Sequence, residues 1–364
     1  MQNQDWFLSR KWGMFNHYIG LAGNGTFRTN FVTHKSFNDR VNAFDAENYA
    51  KTAHEINAGY VVFTIMQGEQ FMCAPNDTFN RITGYKPGEA CSERDLIADI
   101  LSALDKYDIP LFLYFTGDGP HKDPVAGRRF GYVDRENEQI GTEFVGKWTA
   151  VLREYAVRYG EKVKGWWFDG MSMYFGYDGH DDDFLKAYAD AVKAGNPDAL
   201  IAYNNGVIVP DYKNPAYHKF YHGKTNPMHQ IGQLGQYARA GDEEAKAAFI
   251  TPGSTYRYSK YENYTAGESN AFEELPEKRF IDGSQWHILS FLGTHQYYDD
   301  IWGISGWNAL GCAYNADYMT EYVRKCNERG GVVSIDTCLY DDGHIDWGQY
   351  EVLKKVGELR QLKR

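Results

Sequence analysis

The stretch Val163-Lys164-Gly165-Trp166-Trp167-Phe168-Asp169-Gly170 is apolar and aromatic up to a single carboxylate, and a glycine follows at once. A run this short and this rich in rings fits a buried strand rather than a helix. It stops at Asp169, where Gly170 allows positive φ or a close backbone approach. Amphipathic helical patterns flank it at 144–159 and 183–194. The same alternation continues outward in both directions. Short apolar runs recur at 12–18, 60–66, 110–116, 199–204 and 332–335, and helical patterns at 45–56, 93–107, 316–328 and 347–362. In the helix at 93–107, Leu96, Ile97, Ile100, Leu101 and Leu104 share one stripe.

Strand and helix taking turns over most of 364 residues implies a parallel sheet with helical crossovers. A closed (β/α)8 barrel and an open doubly wound sheet both give that pattern, and two features favour the TIM-like α/β barrel. No GxGxxG follows the first strand. Polar or acidic residues sit just past strand ends, at His17, Gln67, Thr116, Asp169 and Asn204-Asn205, and in a barrel those ends converge on one face. The alternation weakens over 206–281, so irregularity is expected around strands five to seven. No repeat, low-complexity tract or Pro/Ser-rich linker interrupts the chain, and residues 1–364 are expected to form a single catalytic barrel domain.

Composition narrows the partners. The chain carries 38 basic and 49 acidic side chains, a formal net charge of −11, which argues against general phosphate-backbone binding and hence against nucleic acid. Mean hydropathy is −0.58 and no apolar run approaches the roughly 18 residues of a membrane span, so no membrane partner is expected. Aromatic residues make up 16% of the chain. Rings stack on the apolar faces of sugars and offer OH or NH groups at their edges, so a carbohydrate partner fits, beside the plainer reading of a ring-rich core. Five cysteines without a CxxC give neither zinc spacing nor a disulfide framework, and buried free thiols are expected. The opening Met1-Gln2-Asn3-Gln4-Asp5-Trp6 has no basic or apolar leader pattern, which leaves a cytoplasmic location and a removed signal peptide both open.

Asp169, at a strand end among rings that lower the local dielectric, is read as a nucleophile or general base, against the alternative of a loop cap. Barrel enzymes that hydrolyse glycosides use two carboxylates, about 5–5.5 Å apart when retaining and about 6.5–9.5 Å when inverting. Glu268, in Tyr264-Thr265-Ala266-Gly267-Glu268-Ser269-Asn270, is the best-placed partner because small residues before it suggest a tight, exposed turn. Glu262, Glu273 and Glu274 are neighbouring alternatives. The acidic run Asp178-x-His180-Asp181-Asp182-Asp183 offers oxygen ligands for Ca²⁺, but it precedes a helix and lacks loop spacing, so helix N-terminal charge is the preferred reading and no metal is expected. Tyr256, Tyr258, Tyr261 and Tyr264 serve loop packing or a sugar platform equally well, and Trp302 and Trp307 serve as ring-stacking residues or lids. No P-loop, Gly-x-Ser-x-Gly or His-Glu-x-x-His occurs.

Several segments in order resemble the retaining α-L-fucosidases of glycoside hydrolase family 29. Lys11-Trp12-Gly13-Met14-Phe15-Asn16-His17-Tyr18 is similar to the family's first-strand motif. Phe44-Asp45-Ala46-Glu47-Asn48-Tyr49-Ala50 with Gly59-Tyr60-Val61-Val62-Phe63-Thr64 looks like its helix and second strand. Arg94-Asp95-Leu96 and Leu113-Tyr114-Phe115-Thr116 fit the third unit, and Gly330-Gly331 opens a closing unit like the family's. Trp167-Phe168-Asp169-Gly170 matches the nucleophile motif, and Asn204 sits where the fifth strand of the family ends in Asn. The resemblance makes Asp169 the nucleophile and implies a sugar pocket.

Departures accompany it. Where the family's second strand ends in Lys-His-His-Asp-Gly-Phe, this chain reads Met66-Gln67-Gly68-Glu69-Gln70-Phe71, so the contacts to the sugar hydroxyls must differ. A Trp-Glu pair that supplies the acid/base in some members is here Trp286-His287, which turns the search for a proton donor to Glu268, or to His287 itself. The chain also ends soon after its last helical pattern, without room for the β-sandwich that commonly follows. The expectation is a retaining exo-glycosidase on an α-L-fucoside or related sugar, without cofactor, with Asp169 and Glu268 catalytic. His17, Gln67, Glu69, Tyr114, Trp167, Asn204, His287 and Trp302 are expected around the substrate. The alternatives are the same mechanism on another sugar, such as an α-L-galactoside or a modified fucoside, and a sugar-binding barrel without catalysis.

Overall fold

The computed structural model describes residues 2–18, 36–67, 71–120, 123–131, 141–171, 181–204, 206, 209–210, 243, 249–250, 256–294, 296–299 and 303–361. Seven strands form one sheet: β1 Trp12–Asn16, β2 Val61–Met66, β3 Leu111–Thr116, β4 Val163–Asp169, β5 Leu200–Tyr203, β6 His287–Phe291 and β7 Val332–Asp336. Their spatial order is β6-β7-β1-β2-β3-β4-β5, and every pairing is parallel. Helices flank the strands, and those between strands serve as crossovers. They include α1 Gln2–Arg10, α2 Phe37–Ala43, α3 Ala46–Glu55, α4 Asp77–Thr83, α5 Leu96–Asp105, α6 Pro124–Phe130, α7 Thr142–Tyr159, α8 Asp181–Lys193, α9 Ala316–Glu328 and α10 Trp347–Gln361. Side-chain caps start several of them: Asp45 accepts from Asn48 N–H and Asp95 from Ala98 N–H, both at 2.9 Å.

β6 is not among the strands expected from the sequence. It is five residues long, and His287 and Ser290 interrupt its apolar pattern, which hides the strand period. The expected irregularity is seen beside it. Residues 263–269 bond to both edges of the seven-stranded sheet without forming a regular strand. Asn263 N–H donates to Ile201 O of β5 at 2.8 Å, while Leu289 N–H of β6 donates to Gly267 O and Ser269 N–H to Leu289 O, each at 2.8 Å. The sheet is therefore curled, as in TIM-like α/β folds.

The pleat sorts side chains onto two faces. Met14, Phe63, Leu113, Phe168, Ile201 and Ile335 face outward and join a core with helix residues such as Tyr49, Ile97, Leu152, Tyr188, Val323 and Leu353. Phe15, Tyr114, Trp167, Ala202 and Leu289 face inward, with Tyr264 and Ala266 of the connecting segment. α1 closes the N-terminal end of this inner layer. Phe7 is fully buried, with ring centroids 5.1 Å from Tyr60, 5.4 Å from Phe112 and 5.0 Å from Tyr264. Gly165 makes room for the rings, since a Cβ there would lie 2.5 Å from Phe112.

Gly267 carries the register of the connecting segment. Its φ is +72°, and a Cβ would come within 2.0 Å of the backbone oxygen of His287. Neither the conformation nor the contact can relax by a rotamer change. Gly267→Ala is expected to destabilise the fold by about 2 kcal/mol or more, read as a lowered urea midpoint at unchanged m-value.

Candidate active site

The same alternation that sorts the core decides which side chains reach the C-terminal edge of the sheet. Two residues beyond an inward apolar residue, the inner face continues as a polar one. Trp167 is followed by Asp169, Ala202 by Asn204, Phe15 by His17, and Ala266 by Glu268. The candidate residues thus gather on one face because strands alternate with period two.

Asn204 joins them. Its Nδ2 donates to Asp169 Oδ1 at 2.8 Å and also to Glu268 Oε2. Its Oδ1 accepts from Gly206 N–H at 3.0 Å, which fixes the amide with nitrogen toward the carboxylates. One nitrogen serving both acids leaves their oxygens no more than about 6 Å apart, two hydrogen-bond lengths. Tyr114, one strand over on β3, donates its hydroxyl to Asp169 Oδ2 at 2.5 Å. Asp169 and Glu268 are each partly exposed.

The two carboxyls differ in their surroundings. Burial pushes Asp169 up from its ordinary value, and the negative Asp118 adds to this, but the Tyr114, Asn204 and Gly170 donors all favour its anion. Glu268 is pushed up to about 7 by burial and then by the charge of Asp169; the Asn204 bond and His17 oppose this. Asp169 therefore has more donors to its anion than Glu268 has.

His17 follows β1 and is buried, its Nδ1 2.6 Å from Asp336 Oδ1. Trp167 is buried with its indole N–H donating to Ala266 O at 3.1 Å, and it stacks on Tyr114 with centroids 5.2 Å apart. It supports the tyrosine from below. Gln67 follows β2 at the same edge, and its Oε1 is buried without a hydrogen-bond partner among the described residues. His287 is placed elsewhere. It opens β6 at the opposite end of the sheet, with Nδ1 at 2.9 Å from Thr265 O and Nε2 at 2.8 Å from Ser334 Oγ, and burial lowers its pKa to about 4. Strand ends some four residues apart are about 13 Å apart, so His287 is structural. Glu69 and Trp302 lie outside the described residues, as do Asp178 and His180.

The alternatives to Glu268 have other positions. Glu262 is buried and accepts from the backbone N–H groups of Tyr203 at 3.0 Å, Ser259 at 2.9 Å and Tyr258, tying the connecting segment to β5. Glu273 and Glu274 are exposed. Asp181–Asp183 open α8, and among the described residues no three His, Cys, Asp or Glu side chains are grouped to hold a metal. Tyr264 belongs to the inner core, while Tyr258 packs on Tyr203.

Two acids at this edge are not among the residues expected from the sequence. Asp118 is buried, accepts from the Thr116 hydroxyl, and packs on Gly170, where a Cβ would lie 2.6 Å from its carboxyl carbon. Asp336 ends β7. Both had a signal: each lies at or just past the end of an expected strand, as Asp169 does.

No protein-family model matches the chain, and no curated protein matches its sequence. Solved structures match its fold. An endo-fucoidan hydrolase from glycoside hydrolase family 107 superposes with a TM-score of 0.62 at 14% identity, over 98% of this chain and 53% of its own. This chain spans about half the length of that enzyme. The α-L-fucosidase isoenzyme 1 from Paenibacillus thiaminolyticus gives a TM-score of 0.59 at 18% identity, over 100% of this chain and 76% of its own. A family 29 α-L-fucosidase from Bacteroides thetaiotaomicron, trapped as a covalent intermediate with 2-fluoro-fucosyl fluoride, gives 0.57 at 13% identity, over 100% and 75%. At these identities the likeness is one of architecture: the chain shares the fold of these glycoside hydrolases.

Proposed function

We propose that this chain is a retaining exo-glycosidase acting on an α-L-fucoside or a closely related sugar, in a single catalytic (β/α)8 domain whose eighth stave is the segment 263–269. The observation that carries the reading is the shared Asn204 amide nitrogen. It holds two carboxylates at a spacing that supports a covalent glycosyl-enzyme and is short for an inverting pair. The trapped intermediate of the family 29 neighbour supports the same chemistry.

In the first step Asp169 attacks the anomeric carbon while the bond to the leaving oxygen breaks and Glu268 gives that oxygen its proton. In the second, the Glu268 carboxylate takes a proton from water, whose oxygen attacks the anomeric carbon and releases Asp169. The roles follow from the environments: the acid with more donors is ionised first, and the acid pushed up to about 7 keeps its proton. His17, Gln67, Tyr114 and Asn204 would contact sugar or nucleophile at the same edge, with Glu69 and Trp302 as further candidates and Trp167 beneath. The chemistry needs no metal or organic cofactor.

Asp169→Ala should lower kcat/KM on an aryl α-L-fucoside about 10³-fold or more. Glu268→Ala should slow unactivated substrates by about 10²- to 10⁴-fold while sparing those with a good leaving group. Loss of both substrate classes alike would reassign the proton donor. The pH profile provides a separate check. Activity requires Glu268 protonated, so kcat/KM should fall as pH rises through about 7, and that limb should vanish in Glu268→Ala with an activated substrate. Tyr114→Phe removes a donor from the Asp169 anion, so the acid limb of the profile should move to higher pH. Proton NMR of the first-formed sugar should show retained anomeric configuration; inversion would overturn the mechanism.

A further inference from the structure

Asp336 ends β7 on the inner face and is fully buried. One carboxylate oxygen lies 2.6 Å from His17 Nδ1, and the other accepts from Asn308 N–H at 2.7 Å. The second contact is rigid. Asn308 is buried in the left-handed region at φ +49°, and its side-chain oxygen accepts from Leu339 N–H at 2.8 Å, so this N–H is held in place from both ends. The His17 ring is equally confined, with centroids 5.0 Å from Phe15, 5.6 Å from Tyr114 and 5.7 Å from Trp307. An ionised carboxylate only accepts hydrogen bonds, so the contact with His17 requires a hydrogen on Nδ1.

We propose that Asp336 is a positioning residue that locks His17 in the Nδ1–H tautomer, so that the neutral ring accepts a hydrogen bond at Nε2 and cannot donate one there. On the glycosidase reading above, the group His17 selects is then a sugar hydroxyl that gives its hydrogen to Nε2. That second clause rests on the proposed function, whereas the tautomer does not. The His17 ring lies 5.6 Å from that of Tyr114, whose hydroxyl donates to Asp169, which places it beside the reacting centre. Each Asp336 oxygen has a partner, one on the histidine and one on the loop at 307–308, so the carboxylate ties the two together.

Asp336→Asn tests the lock because its outcome is determined by geometry. The Asn308 N–H can only donate, so the new amide must turn its oxygen there and present its NH2 to His17 Nδ1. Nδ1 must then accept, and the ring proton moves to Nε2. Long-range ¹H–¹⁵N NMR of the ¹⁵N-histidine-labelled full chain, above the pH at which imidazoles titrate, reads this directly. The His17 signals are assigned by their loss in His17→Gln. The wild type should show the Nδ1–H pattern and D336N the Nε2–H pattern. An Nε2–H pattern in the wild type, or an unchanged pattern in a folded D336N, overturns the proposal, and the wild-type spectrum decides its first half even if D336N does not fold. With an aryl α-L-fucoside, kcat/KM of D336N should fall about 10- to 100-fold, mostly through KM, as a hydroxyl donor then meets an N–H. A swapped tautomer with unchanged KM keeps the lock and removes His17 from the sugar contacts; the locked tautomer in a protein that turns over no glycoside leaves the lock standing and sinks the function reading instead.

Discussion

One amide nitrogen bonded to two acids sets the terms for the whole site. Placing Asp169 and Glu268 within two hydrogen bonds of each other concentrates like charge, which raises the cost of ionising both. Asn204 reduces that cost as a neutral donor, and because its oxygen is tied to Gly206 N–H it cannot turn over and offer an acceptor instead. A lysine in its place would neutralise the pair and leave no acid to give a proton. An alanine would leave two repelling carboxylates without a fixed spacing. The amide does neither, so one carboxyl can stay charged while the other stays protonated.

That bond depends on the fold beneath it. Asn204 reaches the pair only because β5 presents Ala202 and Asn204 on the same face as Trp167 and Asp169 of β4. Small and large residues alternate there: Ala202 lies beside the bulky Trp167, and Gly165 beside Phe112. The ring layer under the site, Phe15, Tyr114 and Trp167, excludes water from below and strengthens the electrostatics above it. Tyr114 belongs to both layers, since its ring stacks on Trp167 and its hydroxyl ends on Asp169.

Much of this was legible in the sequence, for identifiable reasons. The strands that end in Asp169, Asn204 and Asn16-His17 are near-continuous apolar runs, the mark of strands buried on both faces, and each stops at its polar residue. Strand ends were therefore visible, and with them the candidate edge. What was not visible is connectivity in space. β6 is hidden by His287 and Ser290, whose polar atoms are satisfied by Thr265 and Ser334 in the case of His287, contacts that no local pattern reveals. The same blindness makes His287 look like a candidate proton donor when it belongs to the far end of the sheet. Asp118 and Asp336 escape notice for a simpler reason: an acid near a strand end looks like an ordinary loop residue until its neighbours are known.

Four acids, Asp118, Asp169, Glu268 and Asp336, at one edge of the sheet would be costly if each had to be ionised without donors. Each has its own. Thr116 serves Asp118, Tyr114 and Asn204 serve Asp169, Asn204 serves Glu268, and His17 with Asn308 N–H serves Asp336. Most of these donors are neutral, so they stabilise anions without cancelling the negative potential of the edge. On the proposed chemistry positive charge develops at the anomeric carbon in the transition state. A negative edge held by neutral dipoles favours that charge over the neutral ground state, which is the differential stabilisation a catalyst requires. On the proposed chemistry the arrangement of charge suits turnover, an argument that does not draw on likeness in fold.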